Sequence, residues 1–359
     1  MAIKSSGSSL AFSEIEDEFG QNGERSLGDY RISKTIGELA SMPLDNGIPQ
    51  SGQIKFSDFY TKKLNIVVDC HSGDTEARKN AKTDKWNNNE YDMVTNWSVA
   101  KPSNTSGKKI IIHVDKIFQS NAGNAPTDCA LRTGTWNSGT TLQVDIGGEG
   151  RCYGAGGKGG DGADGRSDYG PVTNSVGDGQ DGSSALGVEY SGTTVNMLSG
   201  AKLIAGYGGG GGGRGGRDVD PGADRTACGG GGGGGAGRPA GAAGDGGERL
   251  SGSEYSGSND GGEVDSGYGG GAGTTTSGGA GGAGGNNHNE AIGATGGVGG
   301  DSEQDAGAGG SVYNGKKAYG PNGAAGGSGA AIRRTSGITV TINTNDQTVN
   351  GSTTATGVT

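Results

Sequence analysis

"GYGGGGGGRGGRD", Gly206 to Asp218, holds six consecutive glycines, and from Gly206 to Gly216 only Tyr207 and Arg214 interrupt them. Glycine loses more conformational freedom on folding than any other residue, so a single run of this kind is expected to stay loose. The run is not single. Of 83 glycines, 12 precede Gly147 and 3 follow Ala331, which leaves 68 in between. Runs recur near 147–165, 206–216, 229–247, 267–285, 293–300 and 320–329. They alternate with pieces of other character, among them "RDVDPGADRTAC", "ERLSGSEYSGSNDGGEVDS", "NNHNEAI", "DSEQDA" and "SVYNGKKAY". A flexible linker does not alternate in this way.

Collagen requires strict Gly-X-Y and abundant proline. Here the triplet phase slips within "GAGGKGGDGADG", and only Pro171, Pro221, Pro239 and Pro321 fall in the region. "GGKGGD" (156–161) matches the start of a calcium-binding nonapeptide, but "GRSDYGPVT" after it does not repeat the pattern. No G-x-x-x-x-G-K-[ST] occurs, and G-x-G-x-x-G carries no information in such a composition.

What remains is a packed array of polyglycine II helices. Such a helix has three residues per turn, about 3.1 Å rise and no internal hydrogen bonds, so its N–H and C=O groups point outward. Fixing a backbone costs ~1–2 kcal/mol per residue, while a net hydrogen bond returns ~0.5–1.5 kcal/mol. One run cannot hold itself; several bonded side by side can. The opening stretch is expected to be an interior rod of that array. If consecutive rods run antiparallel, successive loops fall at alternate ends.

The flanking regions read differently. Within 1–65, "LAFSEI" (10–15) and "IKFSDF" (54–59) share the frame apolar-x-Phe-Ser-acid-apolar. Each apolar-x-Phe triplet alternates like a short strand, and Ser13 with Glu16 has capping-box spacing. Within 66–146, "NIVVD" (65–69), "MVTNWSVA" (93–100), "KIIIHVDKIF" (109–118) and "TTLQVDI" (140–146) read as strands. "TEARKNAKTDKW" (75–86) reads as a short helix. "LGVEYSGTTVNMLSGAKLIAGY" (186–207) reads as short strands with Ser-Gly turns, and "ITVTINTNDQTVNG" (338–351) as a strand and turn.

With 29% hydrophobic and 5% aromatic residues, one large apolar core is not expected in 359 residues. A net charge of −10 and a pI of about 4.9 argue against nucleic acid and anionic membrane as partners. No segment approaches the ~20 apolar residues of a membrane span, and "MAIKSSGSSLAF" has no apolar signal region. The expectation is a soluble protein made in a cytoplasm. Cys70, Cys129, Cys152 and Cys228 lack metal-type spacing and read as free thiols.

No catalytic constellation emerges. His71, His113 and His288 form no metal motif, and Cys70 beside His71 would point to the opposite face of a strand. Asp161, Asp164 and Asp168 carry oxygen ligands suited to a hard cation, though turn and solubility roles weigh more. Arg214 and Arg217 resemble an RGG segment that the acidic balance disfavours. The expectation is no enzyme, no cofactor and no metal.

The residues also carry a resemblance. "SSGSSLAFSEIEDEFGQNGERSLGDYRIS…GIPQSGQIKFSDFY" resembles a short module near the N-terminus of tailed-phage structural proteins. "TLQVDIGGEGRCYGAGGKGGDG…GTTVNMLSGAKLIAGYGGGGGG…GGSGAAIRRTSGITVTIN" resembles the glycine-rich domains of phage tail-fibre and tail-tip host-specificity adhesins. The resemblance implies a virion protein made in the host cytoplasm, bound to other tail or fibre proteins through 1–65 and to a host-cell receptor, protein or glycan, through loops. The region 66–146 has no counterpart in those adhesins. A purely structural fibre or decoration protein is the second reading, and a polysaccharide depolymerase the third.

The implied fold is mostly β and irregular: an attachment module (1–65), a β-rich middle (66–146) and a polyglycine II-type sandwich with loops (147–359, of which 331–359 is a closing strand and tail). Tyr, Ser, Gly and Asn are the vocabulary of recognition loops. The candidates there are Tyr169, Asp224, Tyr255, Asn259, His288, Tyr313 and Tyr319. Whether one chain builds the array or a homotrimer shares it stays open at this point.

Overall fold

A computed structural model describes the chain except residues 1–2, 22, 32, 35–41, 46, 72–76, 96, 98, 122–124, 165–175, 221–222, 249–263, 266, 285, 288–290, 302–305, 311–316, 319–321, 345–347 and 359. It is 25% strand and 9% helix, a β-rich and irregular fold.

The strands wind into a parallel solenoid of three sheets. The first sheet stacks Asn65–His71, Lys109–Asp115, Thr141–Ile146, Thr193–Met197 and Val340–Thr344, all parallel. The second stacks Ile117–Gln119, Arg151–Tyr153, Lys202–Ile204 and Thr348–Asn350. The third stacks Lys79–Asn80, Cys129–Arg132, Ser184–Val188, Ile332–Arg334 and Ala355–Thr356. The first circuit has described strands in the first and third sheets only, and each later one visits all three in turn, so that five coils stack.

Register explains the core. Val68, Ile112, Val144, Val195 and Ile342 lie in one column, and Phe118, Cys152, Leu203 and Val349 in another. The third sheet adds Leu131, Leu186 and Ile332. Alternation puts these side chains into the lumen, where β-branched and leucine residues stack on their own kind. Turns between strands use glycine where the backbone is left-handed, as at Gly192 (φ 77°) and Gly200 (φ 88°). These sheets cross the composition change at 147, which therefore marks no end of the pairing.

The first coil is covered by residues before 65. The helix Phe12–Phe19 and the short helical turns Leu27–Arg31 and Phe56–Phe59 bring together Phe12, Phe19, Tyr30, Phe56 and Phe59, with ring centroids about 6 Å apart. Phe19, Tyr30 and Phe59 are fully buried in the same cluster as the solenoid residues. Buried Glu18 accepts from the Leu64 N–H (2.9 Å) and from Lys108 Nζ (2.8 Å). Asp45 likewise holds the Lys63 N–H (3.0 Å) and Lys109 Nζ (3.2 Å).

The twin frames form twin caps, displaced from the expected one. Ala11 N donates to Glu14 Oε2 (2.9 Å) and Lys55 N to Asp58 Oδ2 (2.7 Å). It is the acid inside each frame that turns back, and Ser13 lies within the helix rather than capping it. The apolar-x-Phe triplets are extended at Ala11 and Lys55 but pair with no strand. Two further expectations shift. Residues 79–86 form a two-residue strand and one wide turn, Ala81–Trp86, in which Asn87 N reaches Lys82 O. Among its described residues, "MVTNWSVA" contributes only Met93 to a strand, the end of Tyr91–Met93.

The glycine region leaves this solenoid at one corner. The corner between the second and third sheets opens after Tyr153 to admit 154–183, and again after Ile204 to admit 205–331. Ten extended segments result: 154–164, 176–183, 205–215, 228–236, 240–248, 267–273, 278–284, 293–301, 306–310 and 322–330. Six runs were expected. Two of them fold back on themselves, at 237–239 and 274–277, while 176–183 carries too few glycines to stand out and 306–310 is only five residues long.

The bonding between segments repeats every three residues. The N–H groups of Gly157, Gly160 and Ala163 donate to Tyr207, Gly210 and Gly213 carbonyls. Those of Gly156, Gly159 and Gly162 donate to Pro239, Ala242 and Asp245. Successive residues thus face different neighbours. The third segment bonds to six others through Tyr207, Gly206, Gly211, Gly209 and their partners Gly157, Ser183, Ala236, Gly297, Gly307 and Gly326. The fourth also has six neighbours, reached at Gly160, Gly210, Gly241, Tyr268, Gly279 and Ala294. These two interior segments are the uninterrupted runs Gly208–Gly213 and Gly229–Gly235. One chain supplies all ten.

Candidate recognition surface

Segment direction decides what the array can present. The first segment follows the coil strand Arg151–Tyr153 and the third follows Lys202–Ile204, so both start at the solenoid and run outward. The second runs antiparallel to both: Gln180 N donates to Lys158 O, and Gly209 N to Gln180 O. Alternation continues along the chain. Odd-numbered segments run out and even-numbered ones return. The five stretches joining them at the far end are 165–175, 216–227, 249–266, 285–292 and 311–321, and those at the solenoid side are 237–239, 274–277 and 302–305.

In sequence, all seven candidate residues lie between described segments whose far ends those stretches join. Tyr169, Tyr255, Asn259, His288, Tyr313 and Tyr319 lie outside the described residues, and of Asp224 the backbone alone is described, paired with Val219. The described far-end backbone is ordered by strand pairing. Gly216–Asp220 and Ala223–Ala227 form a hairpin from Gly216↔Ala227 to Asp220↔Ala223. Val264–Asp265 joins it parallel on one edge and Lys317–Ala318 antiparallel on the other. Asn286–Asn287 pairs with Ala291–Ile292 beside it. Three of the five far-end stretches are therefore tied together in one sheet, and a fourth, 285–292, forms its own two-stranded pair.

The sides of the array are different in kind. Their aspartates are spent on backbone. Asp178 and Asp181 Oδ1 accept from the N–H groups of Ala324 (2.7 Å) and Gly327 (2.6 Å), and Asp161 and Asp164 Oδ1 from those of Asp245 (2.9 Å) and Glu248 (2.8 Å). The residues of each pair are three apart, the repeat of the lateral bonding. An outer segment turns some N–H groups away from any neighbour, and a short carboxylate on the next segment satisfies them. Asp161 also pairs with Lys158 (3.0 Å). The cation reading of Asp161 and Asp164 gives way to this role, and Asp168 lies outside the described residues. Asp178 and Asp181 went unremarked in the sequence, although their three-residue spacing was visible.

Other candidates are absorbed by the fold. Arg214 ends the third segment, where its carbonyl accepts from Ala294 N (2.9 Å), and Arg217 lies in the hairpin, so neither belongs to an RGG tail. His113 is fully buried in a strand, in register between Asp69 and Asp145. Cys70, Cys129, Cys152 and Cys228 are all buried free thiols. Burial pushes Cys129 up to about 12; it raises Cys152 as well, with the thiols of Cys70 and Cys129 adding to the effect. Such thiols stay protonated and unreactive at neutral pH. Among the described residues no three His, Cys, Asp or Glu side chains are placed to hold a metal ion, and no helix is long and apolar enough to cross a membrane. No family model, curated protein or solved structure matches the chain.

Proposed function

We propose that this protein is a phage tail-fibre or tail-tip adhesin whose glycine array is a polyglycine II sandwich and whose far-end stretches bind a host-cell surface receptor. The observation that carries the reading is directional: a hydrogen-bonded array rooted in the solenoid joins its segments by five longer stretches at one end and by short connections at the other. Loops held by a rigid scaffold are where binding concentrates. Three-residue repetition of the lateral bonds supports the polyglycine II assignment. The resemblance of 1–65 to virion modules supports attachment through that end, and several copies per virion would strengthen weak single contacts.

The test is binding of the labelled full chain to a panel of bacterial cells, beside variants with Ala and Ser substituted across 249–263 or 311–316. Saturable binding that the substitutions abolish, with an unchanged circular dichroism spectrum, supports the adhesin. Binding that survives both sets of changes moves the site off the far end. A chain that binds none of the panel favours a structural fibre.

A further inference from the structure

The two ends of the solenoid are finished differently. At the first coil, the strand Tyr91–Met93 runs antiparallel along Asn65–His71 and the aromatic module closes the lumen. At the fifth coil nothing described does either. Val340–Thr344, Thr348–Asn350 and Ala355–Thr356 each pair on one side only. The lumen columns show the same asymmetry: Val68, Ile112, Val144 and Val195 are fully buried, whereas Ile342 at the end of their column is half-buried, as are Val340 and Val349.

Proteins that stay monomeric protect such edges with lysine, other charges or proline. None occurs in the three fifth-coil strands, and Asp346 is the only charged residue from Ile338 to Thr359 in a chain that is 19% charged. The side-chain ladder on the outer face also stops in the open. Asn196 Nδ2 donates to Asp145 Oδ1 (2.7 Å) and Asn343 Nδ2 to Asn196 Oδ1 (2.8 Å), with Asn343 last.

We infer that the fifth coil docks the fifth coil of a second copy, the two pairing antiparallel about a two-fold axis through Ile342. A two-fold contact sets each residue against its own surroundings, so a neutral edge meets no like charge. Ile342 then faces its own copy and Thr341 faces Asn343 of the other chain, which extends the first sheet across the axis and covers the half-buried valine and isoleucine. Head-to-tail stacking is blocked because the first coil is already covered, so association closes at two. This inference does not depend on the adhesin reading.

The experiment is the mass in solution of the full chain by light scattering, from nanomolar to high micromolar concentration. The expected result is a concentration-dependent dimer. The double variant Thr341→Lys/Asn343→Lys places two lysine pairs directly opposite each other at exposed positions. It should raise the dimer dissociation constant roughly tenfold or more. Mixing it with Thr341→Glu/Asn343→Glu should restore the dimer through opposite charges. A monomeric wild type, a lysine variant that still dimerises, or a mixture that stays monomeric would each overturn the inference.

Discussion

The solenoid and the glycine array solve the same problem with opposite materials. The solenoid fills its interior with side chains: through the first four coils, columns of valine, isoleucine, leucine and phenylalanine are buried along the lumen. The array fills its interior with backbone. Gly208–Gly213 and Gly229–Gly235 are buried without a single side chain, and their amides bond to six neighbours each. Hydrophobic burial is non-directional and tolerates exchanges of similar volume. A backbone interior has no such latitude, because its packing distance is set by the hydrogen bond. An aromatic-poor sequence is therefore compatible with an extensive dry interior.

The largest effect expected from this contrast is at the centre of the array. A Cβ on Gly232 would sit 2.0 Å from the Gly210 carbonyl oxygen, which is itself fixed by hydrogen bonding. The φ angle there is not positive, so the requirement for glycine is space and nothing else. Gly232→Ala should cost about 3 kcal/mol or more, as overpacking does where neighbours cannot yield. Hydrogen exchange should report lost protection in the fourth segment and its neighbours while the solenoid amides stay protected. Uniform protection in the variant would mean that the array is softer than its bonding implies.

Part of this contrast could be read before any fold was seen. The alternation of "NIVVD", "TTLQVDI" and "TTVNM" reports strands because their lumen-facing positions are apolar, and the glycine runs had to act collectively because single hydrogen bonds cannot offset chain entropy. The solenoid itself was hidden. Its repeat is broken by insertions of very different length at one corner, 154–183 and 205–331, so strands that stack directly, such as Thr193–Met197 and Val340–Thr344, lie far apart in sequence. The segment 306–310 was missed because it is only five residues long, and 176–183 because an outer segment needs glycine only where it faces a neighbour. Asp178, Gln180 and Asp181 occupy the other positions. The candidate stretches were legible as loops; that the described segment ends flanking them share one end depends on segment direction, which the array sets.

A second effect distinguishes the interiors by pH. The solenoid carries Cys152 in its lumen and Cys129 buried in its third sheet, both with thiols raised by burial; the interior segments of the array carry no titratable side chain between Gly208 and Gly213 or Gly229 and Gly235. Cys129 is raised from 9.0 to about 12. Above pH 9 the unfolded chain releases thiol protons that the folded chain keeps, so stability present below that pH is lost as the pH rises toward the folded value. The loss is about 1.4 kcal/mol per pH unit per buried thiol. Urea unfolding between pH 8 and about 11 should show the fall, and Cys129→Ala should flatten it by one thiol's share. An unchanged slope in that variant would place the alkaline loss on other groups.

The smallest effect is the sharpest check on why the array uses glycine. Gly269 belongs to an outer segment, and a Cβ built there meets nothing nearer than the Gly244 carbonyl oxygen at 3.5 Å, an ordinary contact. Its φ is not in the left-handed region either. Alanine at this position removes chain entropy from the unfolded state and asks nothing of the neighbours, so Gly269→Ala should be neutral or stabilising by up to roughly 1 kcal/mol. Thermal unfolding of Gly269→Ala beside Gly232→Ala holds the chemical change constant and varies only the distance to the next backbone. Equal losses in the two variants would show that the array demands glycine for its conformation at every position; opposite signs would show that it demands glycine only where two backbones touch.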